Sequence, residues 1–541
     1  MRPLWYRNAV IYQVDPALFR DSNGDGCGDL RGITERLDYI RGLGATAVWI
    51  MPFYDSPFCD AGYDVTDHLQ VAPRFGDLAD MVALLEKAEE LGLHVIVELL
   101  VQHTSIEHKW FQEARRNRDS PYRDYYIWAD EPQPDESMKP IFPTVEDSIW
   151  TWDEEAGQYY RHLFYKHEPD LDLANPRVIH EIERIMSFWL RLGVSGFRID
   201  AAVHMVRQAG GGDLKKGYWL LEHMRDFVTM RRPETVLLGE IDTDPEKYVE
   251  YFGDEADRVT LLLDFWTNNH LFLALARQQA EPLIRAINSQ PVPPSHSQYA
   301  SWIRNHDELS LDRLEESERK EVMDTFAPDP KMRAYNRGIR RRLAPMLDGD
   351  ERRIAATHAL LFSLPGTPII RYGEEIGMGD DMERPERQAV RTPMQWSNEP
   401  NAGFSCTTGE LAAPLIDEGP FTYEKINVFA QTLRSDSLMA RTGNMIRTRI
   451  GLREIGIGER QTVEVDDPAV FAIRHDNGST VLMLVNLADK ETTVEITADD
   501  LQDMVDVLAD CNYDQPEGTP LKIRLGPYGY RWLRRKQQLF G

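Results

Sequence analysis

The chain has 541 residues, 42% hydrophobic and 10% aromatic, enough to bury a large core and build more than one domain. Acidic residues outnumber basic ones by 89 to 61, a formal net charge of −28 that repels phosphate backbones and anionic headgroups and argues against nucleic-acid or membrane partners. No apolar run approaches a membrane span, and the start "MRPLWYRNAV" lacks the apolar core of a signal peptide. Cys27, Cys59, Cys406 and Cys511 lie far apart without CxxC spacing, so reduced thiols in a cytoplasm are expected.

In chain order, eight short apolar runs rich in β-branched residues stand out: "NAVIYQV", "ATAVWIMPF", "HVIVELLV", "GFRID", "TVLLGE", "RVTLLLDF", "QYASWIRN" and "TPIIRYG". Each is continuous rather than alternating, as parallel strands buried on both faces are. Amphipathic segments such as "LADMVALLEKAEELG" and "PRVIHEIERIMSFWLRLG" lie between them. Eight strand–helix units predict an α/β fold, a (β/α)8 TIM barrel built from residues 1–103 and 176–454. The irregular, aromatic-rich stretch 104–175 is predicted as an insert lobe after strand 3, over the barrel mouth. After about residue 455 the pattern changes to period two. There "AVFAIRHDNGSTVLMLVNLADKETTVEI" carries a "DNG" hairpin turn, predicting a C-terminal antiparallel β domain over 455–541.

The stretch "DSNGDGCGDLRG" (21–32) has the look of a calcium loop, with Asp21, Asn23, Asp25 and Asp29 at alternate positions. An EF-hand needs a bidentate acid at its twelfth position, where Gly32 stands, and the preceding residues read as a strand. A calcium sensor is excluded.

Active sites of such barrels form at the C-terminal ends of the strands. Strand three ends in "ELLVQH" (Glu98, Gln102, His103), strand four in "GFRID" (Arg198, Asp200), strand five in "LLGEID" (Glu240), and strand seven in "RNHDEL" (His306, Asp307). A single acid at a strand end is commonly a helix cap or a solvated loop residue. Convergence of several on one rim points to catalysis instead. Carboxylates without a nucleophilic Ser or Cys motif suit glycoside chemistry, in which one acid attacks and another delivers a proton. Arg198 beside Asp200 would hold that carboxylate ionised. Glu240, with no cation next to it in sequence, is the better acid/base.

"GYDVTDH", "GFRID", "GE" and "NHD" resemble, in order and spacing, the motifs of glycoside hydrolase family 13, the α-amylase family. The likeness covers nearly the whole chain. It implies Asp200 as nucleophile, Glu240 as acid/base and Asp307 as the transition-state stabiliser gripping sugar hydroxyls. It also implies Tyr63 stacking on a glucose ring, with Asp64, His103, Arg198 and His306 hydrogen-bonding it. Arg391, in "RTPMQW", is similar to an arginine that would close the pocket's far end together with Asp64, favouring small α-glucosides. "DSNGDGCGD" resembles the metal loop of the oligo-1,6-glucosidase and trehalose synthase branches. That likeness implies a structural Ca²⁺, or Mg²⁺ if waters complete the shell, on Asp21, Asn23, Asp25, Asp29 and the Cys27 carbonyl, with no organic cofactor.

Within the family, "FAPDP", "GIRRRLAPML", "LFSLPGTPII", "GEEIGMGDD" and "RTPMQWSNEPNAGFS" are similar to the trehalose synthase branch, which interconverts maltose and trehalose. Glu308 in "NHDEL" resembles an acid that helps close that branch's pocket. Gln102 replaces the usual Asn, "EPDLD" the usual "QPDLN", and Asp242 an Asn of the acceptor side. The leading expectation is therefore a retaining, trehalose synthase-type isomerase. A hydrolytic or transglucosylating exo-α-glucosidase is the alternative, and a non-catalytic carbohydrate-binding member the third reading. The sequence leaves open whether the chain forms a homo-oligomer.

Overall fold

The computed structural model describes residues 4–132, 139–142, 144–497, 501 and 503–535. Residues 133–138 and 143 of the predicted insert lobe lie outside the described residues, as do 498–500, 502 and 536–541 of the predicted C-terminal domain.

Strands form on all eight apolar runs: β1 (Ile11–Val14), β2 (Ala47–Ile50), β3 (His94–Leu99), β4 (Gly196–Ile199), β5 (Val236–Gly239), β6 (Leu261–Leu263), β7 (Gln298–Trp302) and β8 (Thr367–Arg371). Each pairs in parallel with the next, and β8 closes on β1. Alternate residues serve two cores. Ile11, Trp49, Ile96, Leu238 and Trp302 fill the barrel interior, while Tyr12, Val48, Val97, Phe197 and Leu237 pack outward against the helices. That two-sided burial is why the runs are continuously apolar. Gly196 permits the close β4–β5 approach, since a Cβ there would meet the Val236 carbonyl oxygen at 2.8 Å.

The helices begin at side-chain caps. Asp29 caps Leu30–Leu43, Asp77 caps Leu78–Glu90 with a reciprocal Asp80 contact, and Asn175 caps Pro176–Leu192, whose Pro176 needs no backbone donor. Between β3 and Pro176–Leu192 lie the helix Lys109–Arg116 and a three-stranded sheet of Trp128–Ala129, Gln158–Arg161 and Trp150–Asp153. The antiparallel bridge His103↔Asp170 ties this part to the barrel rim, and Tyr126↔Leu171 closes it on itself.

A second insert, between β7 and β8, was not anticipated from the sequence. It holds the helix Glu316–Phe326 and a small sheet of Leu309–Ser310, Gly338–Ile339 and Arg333–Ala334. Phe142 of the first insert meets Tyr335 of the second at 5.2 Å and Tyr165 at 4.6 Å between ring centroids, an apolar clasp above the barrel mouth. The C-terminal strands form a five-stranded antiparallel sheet and a two-stranded one. The "DNG" turn joins Val470–Asp476 to Thr480–Asn486, with Gly478 at φ 70.

Candidate active site

Neighbouring strand ends bring the predicted acids onto one guanidinium. Glu98 and Arg198 are direct partners across β3 and β4. Arg198 Nη1 lies 2.9 Å from Glu98 Oε2 and also contacts Asp200 Oδ1, while Nη2 lies 2.9 Å from Glu240 Oε2. The Trp49 indole N–H donates to Glu98 Oε1 at 2.9 Å. Ala201, left-handed at φ 48, donates its backbone N–H to Glu240 Oε2 at 2.9 Å. A non-glycine residue there costs about 1–3 kcal/mol, strain held at the joint between the two acids.

Burial pushes Glu98 up to about 8 and Glu240 up to about 7, with Arg198 opposing and Asp200 reinforcing both shifts. The sequence argument that Glu240 has no adjacent cation is corrected here: Arg198 touches it, and burial with neighbouring negative charge outweighs that contact. Burial also raises Asp200, with Arg198 as the largest opposing influence.

On the opposite rim Asp307 sits among cations. Its Oδ1 lies 2.9 Å from Arg387 Nη1 and 3.0 Å from Arg391 Nη2, and its Oδ2 lies 3.1 Å from His306 Nε2. Burial alone would raise this carboxyl, but His306 and the two guanidinium groups hold it well below its ordinary value. His306 is itself driven down by burial and so neutral, which leaves the arginines as the formal charges. Gln13 Nε2 donates to His306 Nδ1 at 2.9 Å, placing the ring hydrogen on Nε2, where Tyr63 Oη lies at 2.7 Å.

These groups open into a cavity of about 480 Å³. It is lined by Asp60, Tyr63, His103, Asp200, Asp307 and Arg387 together with Asp242, Asp244, Lys247, Glu308, Arg313, Arg337, Phe142 and Phe164. His103 Nδ1 contacts Gln102 Oε1 at 2.6 Å, and Gln102 Nε2 donates to Asp170 at 2.8 Å, linking the barrel to the insert. Glu308, expected at the pocket's edge, lines it and pairs with Arg337 at 2.9 Å.

The expected closing pair of Asp64 and Arg391 is not formed. Asp64 is buried away from the cavity and accepts bonds from Ser56 Oγ, Cys59 N and Asp60 N, bracing its own turn. Arg391 turns to Asp307 and to the His306 carbonyl, at 2.8 Å. The pair that closes this end is Arg387 with Asp60, at 2.7 Å. Both residues were missed in the sequence, although "DAGYD" and "RQAVR" place them three and four residues from positions that were singled out.

The 21–32 loop is closed by its own hydrogen bonds. Asp21 accepts from the backbone N–H of Asn23, Gly24 and Gly26 and from Ser405 Oγ, which fills its acceptor positions. Asp29 caps the following helix through Gly32 N and holds Ser22, and Asp25 accepts from Cys27 N. Among the described residues no group of three or more His, Cys, Asp or Glu side chains is gathered to hold a metal ion. As they stand, the Asp21, Asp25 and Asp29 carboxylates are engaged by hydrogen-bond donors.

The family described as the α-amylase catalytic domain matches residues 13–322 and 338–455. The chain belongs to the α-amylase family. The gap in that match falls within the second insert, and a sucrose hydrolase-like C-terminal domain family matches residues 478–534. Over 98% of its length this α-amylase family chain is 38% identical to the trehalose synthase/amylase TreS of Mycobacterium tuberculosis (strain CDC 1551 / Oshkosh), covering 90% of that protein. It is 37% identical to the trehalose synthase of Pimelobacter sp. (strain R48), over 98% of the chain and 96% of that protein. It is 30% identical to the oligo-1,6-glucosidase of Parageobacillus thermoglucosidasius, over 98% and 99%. Among solved structures, an α-amylase from H. orenii superposes with a TM-score of 0.79 at 25% identity, covering 98% of this chain and 99% of that one. Among the described residues no helix is long and apolar enough to cross a membrane, and all four cysteines are free.

Proposed function

We propose that the chain is a retaining α-glucosyl enzyme that interconverts maltose and trehalose by intramolecular transfer. The observation that carries the proposal is Arg198 joining Asp200 and Glu240, with Asp307 held among arginines on the facing rim of one cavity. In this reading an Asp200 oxygen attacks the anomeric carbon as the bond to the glycosidic oxygen breaks. Glu240, largely protonated below about pH 7, gives its proton to that oxygen. Arg198 touches both acids and follows the negative charge as it leaves Asp200 for Glu240. Ionised Asp307 binds sugar hydroxyls and supports the oxocarbenium-like transition state. The freed glucose turns within the cavity, and its anomeric hydroxyl attacks the glucosyl ester while Glu240 takes back the proton. Two inversions give retention and the 1,1-linkage.

The Phe142–Tyr335 clasp supports this reading because isomerisation requires water to be kept out. Time-resolved NMR with maltose as sole substrate tests it. Growth of 1,1-linked disaccharide ahead of free glucose is expected, and free α-glucose appearing first rejects isomerisation in favour of an exo-α-glucosidase. That second reading is favoured by one feature, the charged acceptor wall in which Arg313 binds Asp242 at 3.0 Å and Asp244 at 2.8 Å.

A structural Ca²⁺ or Mg²⁺ on Asp21, Asn23, Asp25, Asp29 and the Cys27 carbonyl is proposed on the sequence resemblance alone. It would require Asp21 to exchange backbone donors for the ion. Melting with and without a chelator tests it, and an unchanged transition rejects it.

A further inference from the structure

Three successive backbone carbonyls beyond β7 are each held by a different buried arginine. Arg371 Nη1 donates to Asn305 O at 3.1 Å, Arg391 Nε to His306 O at 2.8 Å, and Arg304 Nη2 to Asp307 O at 2.8 Å. These arginines are 0%, 1% and 2% exposed. Arg391 also pairs with Asp307, and Arg304 Nε reaches the Arg341 carbonyl at 2.7 Å.

Among the described residues Arg371, the last residue of β8, and Arg304 form no ion pair, unlike Arg198, Arg387 and Arg391. Glu374 acts on Arg371 only from beyond ion-pair distance, and among the described residues the Arg371 Nε and Nη2 have no hydrogen-bond acceptor. Burial lowers it only to about 10, so it stays charged at neutral pH. A buried guanidinium without a counter-ion destabilises a fold. The side chain is therefore poorly explained as a packing or salt-bridge element, and what it does contact is the backbone that carries His306 and Asp307.

The charged and titratable groups facing His306 and Asp307 are Arg198, Arg304, Arg371, Arg387, Arg391, Tyr63, Asp200 and Glu240. The positive charge of Arg198 is shared among three carboxyls, that of Arg387 between Asp60 and Asp307, and that of Arg391 is spent on Asp307 itself. Arg371 has no ion-paired carboxylate among the described residues, Glu374 and Asp15 acting with it only from farther off, and it acts on His306 in the same direction as burial.

We infer that Arg371 is a positioning residue for the His306–Asp307 pair. It pins the Asn305 carbonyl and brings to the backbone that carries His306 and Asp307 a positive charge with no ion-paired carboxylate. This rests on the reading of Asp307 as the group that grips sugar hydroxyls.

The test compares the full-length Arg371→Met and Arg371→Lys variants with the parent chain, measuring kcat and KM on maltose across pH. Removing a cation raises the proton affinity of both His306 and Asp307. Arg371→Met is therefore expected to lower kcat by about tenfold, with KM within about threefold, and to move the acid limb upward by at least about half a pH unit. Arg371→Lys, which keeps the charge, should return the limb to its original place. An Arg371→Met profile that superimposes on the parent's overturns the inference, whatever the change in melting temperature. Should that variant not fold, Arg371→Gln keeps a donor for the carbonyl without the charge, and superimposed acid limbs for it overturn the inference equally. Asp307→Asn separates the two levels. If it leaves turnover intact, the role given to Asp307 fails; if it abolishes turnover while the Arg371 profiles match the parent's, the Arg371 inference alone fails.

Discussion

Replacing Glu240 by glutamine should stabilise the protein in alkali while removing its activity. In the folded chain burial lifts this carboxyl from 4.5 to about 7, so the native state binds its proton more tightly than the unfolded state does. Stability from this group is complete below about pH 4.5, falls as pH rises towards 7, and is constant beyond. At 1.36 kcal/mol per pH unit the loss amounts to about 3 kcal/mol above pH 7. With an unfolding entropy of about 2.1 cal/mol/K per residue, that is about 3 °C of melting temperature for a chain of this length. Glu240→Gln removes the titration, so its melting temperature relative to the parent's should be about 3 °C more favourable at pH 8 than at pH 4.5. Scanning calorimetry of both proteins at the two pH values measures that difference of differences. A gap that does not change with pH would refute the assignment of Glu240 as the carboxyl held protonated by its surroundings.

Three further outcomes follow from the same geometry. Asp200→Asn removes the attacking oxygen and should cut kcat on maltose by at least about 10⁴-fold; turnover within tenfold of the parent's would displace it as nucleophile. Arg387→Met strands Asp60 without its buried partner and strips Asp307 of one of two guanidinium groups. Such losses cost about 3–5 kcal/mol, so kcat/KM should fall at least about 10²-fold, and a change under threefold would show the pair to be incidental. Phe142→Ala opens the clasp on Tyr335 and should raise the free glucose released per disaccharide exchanged by severalfold, read by NMR. An unchanged product ratio would mean that the clasp does not exclude water.

The barrel was legible because its strands are buried on both faces. Each is a continuous run of β-branched and large apolar residues that no surface element requires, and every one of the eight formed where it was read. Strand ends then led directly to Glu98, Asp200, Glu240 and Asp307, because local spacing decides which residue stands at the rim. Pairings set by tertiary geometry were not legible. The partner of Arg387 is Asp60, 327 positions away, and Asp64 and Arg391 were preferred because they stood in more conspicuous motifs. Adjacency of β4 and β5 puts Arg198 opposite Leu238, two residues short of Glu240, so the acid/base gained a cation that linear sequence did not show. The second insert escaped notice because its strands are two residues long, too short for any periodicity. Arg371 gave no signal at all, since its contact is with a backbone carbonyl 66 positions away.

The central claim is that a glucosyl group is carried on Asp200. Incubation with 5-fluoro-α-D-glucosyl fluoride, followed by intact-mass analysis and peptide mapping, tests it most directly. One adduct per chain, located on the Asp200 carboxyl and absent from Asp200→Asn, is the predicted result. An active enzyme that gives no adduct, or an adduct on another carboxyl, would contradict it.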